Sequence, residues 1–334
     1  MSQFGSYVVS LNRVPHPNAD SLQIVHVEEP FEASVIIRTQ DWEGEDKAVW
    51  ILPDSITGSS EDDFGWYGLN KKTKAIKLRG MISYGFFVKA KPHHQIGDEV
   101  SAEYGVTKYE EPIKSMTGGD PERDVPGTVK YTDIENSNNS KFQDIFSPGD
   151  EVVILEKLDG CNSRFTVIDG VLHCGSHHRW VKSTATTPNG VVENNTNWWK
   201  MAKKYALAEK LTKYPNLMFV GEAFGNRVNL LKYFDKGLIE LAFYDIFNVA
   251  EGRYLDWDAA AAIFKELDLP VAPILYRGPF VDFDTHKKLA DQPTQVPNAT
   301  GIMEGWVVKT VVERFSDKLG RSILKYKTPE YLSL

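Results

Sequence analysis

Lys157 stands in the tetrapeptide Lys157-Leu158-Asp159-Gly160, directly after the apolar run VVIL at 152–155. A lysine at the end of a core-type strand is awkward unless it is paired or used. Its unperturbed pKa of ~10.4 leaves about one molecule in a thousand neutral near pH 7.5. A nucleophilic lysine therefore needs nearby cations or desolvation to favour its neutral form. Lys325 and Lys327 alternate in the strand-like ILKYK and project to one face, so they could supply such cations. By itself the tetrapeptide is a weak signal, because a turn after a strand accounts for it equally well.

Its company strengthens it. Glu222 in FVGEAFG, Asp245 in AFYDIF, Glu304 in MEGWVVK and the two lysines of ILKYK all interrupt apolar runs. Each alone could be a strand-end residue or half of an ion pair. Buried charges are costly unless they are paired, hydrogen-bonded or used with an ion. Two glutamates, an aspartate and three lysines converging would bind a nucleoside phosphate and a divalent metal.

The elements that must position these residues divide the chain in three. Residues 1–107 show short apolar runs such as SYVVSL, LQIVHV, ASVIIRT and KAVWILP between turn residues, which predicts a small all-β barrel. Within it Lys71, Lys72, Lys74, Lys77 and Arg79 form a basic stretch. A phosphate-binding face and a solvated hairpin fit that stretch equally well. Residues 108–149 are rich in Pro, Gly, Ser, Asn and Asp and read as linker and surface loops. Residues 150–334 carry strand runs from VVILEK to SILKYK, a hairpin signal at Asp169-Gly170, and helical spacing over 197–214 and 256–267. The fold class expected is α+β: a β-barrel followed by an antiparallel α+β domain.

Composition excludes little. The 334 residues suit two ordinary domains, and no run approaches the ~18 to 20 apolar residues of a membrane span. No secretory signal is visible, and two cysteines, Cys161 and Cys174, cannot make a disulfide framework, so a cytoplasmic protein is expected. The formal net charge of -8 does not announce a nucleic-acid binder, although an acidic protein can present a local basic groove.

In order and spacing, EKLDG, FVGEAFG, AFYDIF, MEGWVVK and LKYKTP resemble the motifs of the covalent nucleotidyltransferases: RNA ligases, DNA ligases and mRNA capping enzymes. HPNADSLQIVHV, AIKLRGMISYGFF, GVTKYEEP and KYTDIENSNNSKF further resemble the nick-sealing RNA ligases with an N-terminal OB domain, of the Deinococcus and Naegleria type. The resemblance implies an OB-like first domain and a nucleotidyltransferase second domain. It implies that Lys157 takes AMP from ATP, with Glu156 in the ATP site. Asp159, Glu222 and Glu304 would orient Mg²⁺ or Mn²⁺ largely through its waters, and Glu222 could also hold the ribose. Tyr244 would stack on adenine, where phenylalanine is more common in the family. Lys325 and Lys327 would grip the α-phosphate. The AMP would pass to an RNA 5′-phosphate, and a 3′-hydroxyl would then displace it. The implied substrate is RNA, a nicked duplex with an RNA 3′-hydroxyl, joined by a monomer. A Ser-Arg or Lys-Arg pair is common after the nucleophile hairpin; here the segment is Ser176-His177-His178-Arg179, with Arg179 and Ser176 the candidates for phosphate. Lys71, Lys72 and Lys74 are the candidate RNA contacts of the first domain.

Two other functions compete. DNA ligases and capping enzymes carry a C-terminal OB domain, and Leu334 comes seven residues after Lys327, so a capping-type guanylyltransferase is not expected. An inactive OB-containing RNA-binding protein would not need the whole charged set. His173, Cys174, His177 and His178 are metal-ligand types, but no second Cys or His pair completes a structural zinc site. Trp198-Trp199 fits core packing better than base stacking.

Overall fold

The computed structural model describes residues 5–109, 120–177, 179–187, 189–226, 228–234 and 237–334. Residues 110–119 of the expected linker and His178 lie outside them. The protein is α+β, with many strands and short helices. No helix among the described residues is long and apolar enough to cross a membrane.

Contacts divide the chain into two units. The first comprises 1–112, 134–145 and 326–334, and the second 113–133 and 146–325. The division differs from the expected boundaries at two places. Residues 134–145 and the C-terminal segment, with its helix Pro329–Leu332, go to the first unit, where Leu332 packs on the β core.

In the first unit Ser6–Ser10, Lys47–Ile51 and Phe86–Lys89 form one antiparallel sheet, and Arg13–Pro15, Leu22–Val27 and Ala33–Arg38 a second. The strand Lys47–Ile51 is apolar on both sides for a reason. Ala48 and Trp50 enter one core cluster with Val25, Val35 and Phe87, while Val49 and Ile51 enter another with Phe64, Phe86 and Tyr104. The Trp50 indole N–H is satisfied by the Tyr84 carbonyl at 2.7 Å.

The second unit holds a six-stranded antiparallel sheet. Its order is Trp180–Val181, Val171–Gly175, Gly160–Ile168, Leu217–Gly225, Ile239–Asn248, Arg253–Tyr254. Asp169 and Gly170 both have positive φ, 51° and 75°, as the tight hairpin between two of these strands requires. In a separate ladder Glu151–Lys157 lies antiparallel between Ile274–Pro279 and Gly305–Thr310. The helical spacing over 197–214 resolves into two helices, Asn197–Lys204 and Leu207–Leu211, broken where Ala206 turns left-handed at φ 51°. Trp198 and Trp199 are buried in the core with Phe165, Phe219, Phe243 and Phe264.

Candidate active site

The chain leaves one ladder at Lys157 and enters the six-stranded sheet at Gly160. Lys157 is opposite Gly305, so Glu304 falls beside it, and the Lys157 Nζ lies 2.8 Å from Glu304 Oε1. Gly160 pairs with Phe224, and a Cβ there would meet the Ala223 carbonyl oxygen at 2.3 Å. Close approach of two backbones therefore dictates this glycine. Two residues on, Asn162 is opposite Glu222, which delivers the second glutamate to the same corner.

Asp159, in the turn, is 1% exposed. Its Oδ1 accepts from Asn229 Nδ2 at 2.6 Å and its Oδ2 from the Leu231 N–H at 2.7 Å. Its own N–H donates to the Tyr233 hydroxyl at 2.8 Å. The turn after Lys157 is thus clamped to the segment 229–233.

Glu222 differs. It has no ion pair among the described residues, and the Tyr244 hydroxyl donates to its Oε2 at 3.5 Å. Burial pushes its carboxyl up to about 8, opposed by the charge of Lys157 and reinforced by Glu304 and Asp159. The Tyr244 hydroxyl also accepts from Asn162 Nδ2 at 2.8 Å. Asn162 Oδ1 is buried with no hydrogen-bond partner among the described residues. Such an acceptor calls for a donor from a bound molecule or water.

Asp245 does not join the other carboxylates. Lys309 Nζ donates to its Oδ1 at 2.5 Å, Tyr131 OH to its Oδ2 at 2.6 Å, and Arg321 to both oxygens at 3.0 and 3.3 Å. Arg321 also makes a fork to Glu313 at 2.7 and 2.8 Å and lies 3.7 Å over the Tyr254 ring. These cations hold the Asp245 carboxyl far below the usual carboxylate range despite its burial. Lys309 also donates to the Tyr244 carbonyl at 2.7 Å, so the network fixes the backbone that carries Tyr244.

The remaining candidates fall in several places. Glu156, 2% exposed, accepts from Thr294 Oγ1 at 2.5 Å and from the Gln295 N–H at 2.7 Å, so its oxygens hold the 294–295 loop. Lys325 ends the second unit; Lys327 belongs to the first, with Nζ 3.8 Å from Asp54 Oδ2. They flank the buried Tyr326 in the strand Ile323–Lys327. Ser176 and Arg179 close one turn, in which the Ser176 N–H donates to the Arg179 carbonyl at 2.8 Å. Arg179 is partly buried, and its guanidinium makes no ion pair among the described residues.

Metal-ligand types near that turn disperse. Cys174 is in the core, His173 faces Glu122 at 3.1 Å, and His177 is 3.7 Å from Asp133. In the first unit Lys71 and Lys74 are exposed, but Lys72 is paired with Asp54 at 2.9 Å and lies 3.9 Å over the Tyr109 ring. Sequence reading missed Asn162, Asn229, Tyr233, Lys309 and Arg321. Lys309 and Arg321 carried a visible signal, as charges in or beside apolar runs; the other three are polar residues with no period to mark them.

The profile of the RNA ligase family matches residues 150–327, more than half of the chain. Among solved structures, the Naegleria gruberi RNA ligase with pyrophosphate superposes with a TM-score of 0.68 at 20% identity, covering 98% of this chain and 97% of that one. A variant of that enzyme with ATP and Mn gives 0.69 at 20%, covering 98% of both chains. Another with AMP and Mn gives 0.67 at 21%, covering 98% and 97%. At these identities the likeness establishes the fold. No curated protein sequence matches the chain.

Proposed function

The chain belongs to the RNA ligase family, and from that premise we propose that it is an ATP-dependent RNA ligase acting through a lysyl adenylate on Lys157. The observation that carries this reading is the corner itself: a strand-end lysine paired with Glu304, with Glu222 near the same lysine but in no ion pair among the described residues.

In the reading proposed, the Lys157–Glu304 pair opens and the amine attacks the α-phosphorus of ATP. A P–N bond forms as the P–O bond to pyrophosphate breaks. A 5′-phosphate oxygen of RNA then takes the adenylyl group from the lysine. The 3′-hydroxyl finally attacks that 5′-phosphorus, and AMP leaves. Lys325 and Lys327 hold the α-phosphate, Tyr244 stacks on adenine, and Glu156 acts through the 294–295 loop. Arg179 and Ser176 contact phosphate, and Lys71 and Lys74 contact RNA, with Lys72 bracing that segment through Asp54. The first unit serves as an OB-type barrel.

The carboxylates fit a divalent ion, because the raised Glu222 carboxyl and the orphaned Asn162 oxygen are acceptors short of positive partners. Glu222 and Glu304 would hold Mg²⁺ or Mn²⁺ directly or through its waters, while Asp159 orients the turn through its own hydrogen bonds. The ion would neutralise charge on the phosphates during transfer.

The test uses labelled ATP and GTP in parallel, then four nicked duplexes with ribo or deoxy ends on each side. ATP alone should label the protein. An RNA 3′ end should seal roughly ten- to a hundredfold faster than a deoxy end, because a site built for the 2′-hydroxyl leaves groups unpaired without it. Labelling by GTP would favour a capping-type transferase, and no labelling an inactive RNA binder.

A further inference from the structure

Trp66 leaves 66% of its surface to solvent, in a position where an indole gains little from staying wet. One side of the ring is supported edge-on by Phe86 at 5.1 Å and Tyr67 at 5.7 Å, and Tyr67 stacks on Phe86 at 4.4 Å. The opposite side is open. The segment that follows, Tyr67 to Arg79, contains five basic residues and no acidic one, in a chain whose net charge is -8.

These features share a groove of about 490 Å³, lined by Trp66, Tyr67, Lys71, Lys74 and Lys77 among others. Lys72 is drawn away by Asp54, but Lys74 and Lys77 are exposed and make no ion pair among the described residues. The Lys71 ammonium donates to the Tyr67 carbonyl at 3.3 Å. The backbone beneath is fixed: the Tyr67 hydroxyl accepts from the Lys74 N–H at 3.1 Å and donates to the Lys72 carbonyl at 3.2 Å. The buried Thr73 hydroxyl donates to the Leu52 carbonyl at 2.6 Å. The result is an aromatic face beside a rigid row of unneutralised cations.

Phosphate alone would explain the lysines but not the open indole. Base–aromatic stacking with phosphates on flanking lysines is how single strands are held without regard to sequence. A base in a continuous duplex has no free face to offer. We propose that Trp66 is a stacking platform for an unpaired nucleotide of the RNA substrate, whose neighbouring phosphates rest on Lys71, Lys74 and Lys77. The identity of the ligand as RNA rests on the ligase reading; the platform rests on this groove.

The experiment is fluorescence anisotropy of the full-length protein with a labelled single-stranded oligoribonucleotide of about twelve nucleotides, within the ~4 to 16 that small barrels cover. Trp66→Ala should weaken binding roughly five- to a hundredfold, and Trp66→Phe should recover most of that loss. The double variant Lys74→Gln, Lys77→Gln should reduce the salt slope by about 1.4, at ~0.7 per phosphate contact. Affinity for a blunt duplex should change little in Trp66→Ala. Thermal melting of each variant checks folding, and Trp66→Phe keeps the proposal falsifiable if the alanine variant melts early. Single-strand binding within twofold of wild type in Trp66→Ala would overturn the platform. So would a phenylalanine variant that binds worse than twofold and no better than alanine, an equal loss on duplex, or no single-strand binding by the wild type. Self-labelling with ATP is measured on the same wild-type preparation. Trp66-dependent binding without labelling sinks the ligase reading alone, and labelling with no Trp66 effect sinks the platform alone.

Discussion

Asp245 and Glu222 sit on adjacent strands of one sheet, both among apolar neighbours, yet they meet opposite fates. Asp245 receives two cations and a tyrosine hydroxyl and is held ionised. Glu222 receives no cation of its own, and burial beside two other carboxylates pushes its carboxyl up to about 8. A fully paired charge builds the wall; an underpaired one marks where an ion or ligand is expected to go. Perturbation in opposite directions distinguishes the two carboxylates better than burial does.

The largest effect should come from breaking the paired side. Asp245→Ala strands the buried Lys309 and leaves Arg321 only its Glu313 partner, which should cost about 3–5 kcal/mol and lower Tm on the order of 10 °C by calorimetry. A change under a degree would mean that the network contributes nothing and the contrast is false.

Glu222→Gln attacks the other side. Below about pH 4 its stability should stay within ~0.5 kcal/mol of wild type, because Gln resembles the protonated acid, and near neutral pH it should exceed that of wild type, whose Glu222 must take up a proton on folding. Self-adenylylation should fall by about tenfold to a hundredfold. Full activity would remove Glu222 from the reaction.

The pH dependence of the ligand-free protein sharpens the same contrast. The folded Glu222 carboxyl keeps its proton up to about 8, whereas an unfolded glutamate loses it near ~4.3. Its contribution is therefore fully present at low pH and lost as pH rises towards 8, and this slope should vanish in Glu222→Gln. Asp245 runs the other way, contributing above its unfolded pKa of ~3.9 and losing that contribution as pH falls below it. Denaturant melts across pH, compared between wild type and Glu222→Gln, read this directly; parallel curves would contradict the assignment.

The smallest effect is expected at Glu156→Gln. It replaces one of the two acceptors that hold the 294–295 loop, for a loss of about 1 kcal/mol with adenylylation largely kept. Loss of labelling in a stable variant would place the Glu156 carboxylate on the nucleotide itself.

Much of the site was legible because charge inside an apolar run is conspicuous. Lys157, Glu222 and Glu304 were found that way, and strand pairing brings them to one corner. Asp245 gives the same signal in sequence; only tertiary contact shows that Lys309 and Arg321 claim it. Asn229 and Tyr233 were invisible because loop polar residues have no period, and their role depends on where Asp159 turns. The β-rich first domain followed from short apolar runs, whereas the return of 326–334 to that unit depends on packing that no local pattern encodes. The helical spacing over 197–214 gave no sign of the break at Ala206, because alanine has high helix propensity and here turns left-handed.

The proposed nucleotidyl site is the underpaired corner, with Lys157 its nucleophile. Peptide mapping by mass spectrometry after incubation with ATP and Mn²⁺ tests it most directly. One AMP is expected on the peptide containing Lys157 in the wild type and none anywhere in Lys157→Ala. An adduct on another residue, or one that survives Lys157→Ala, would contradict it.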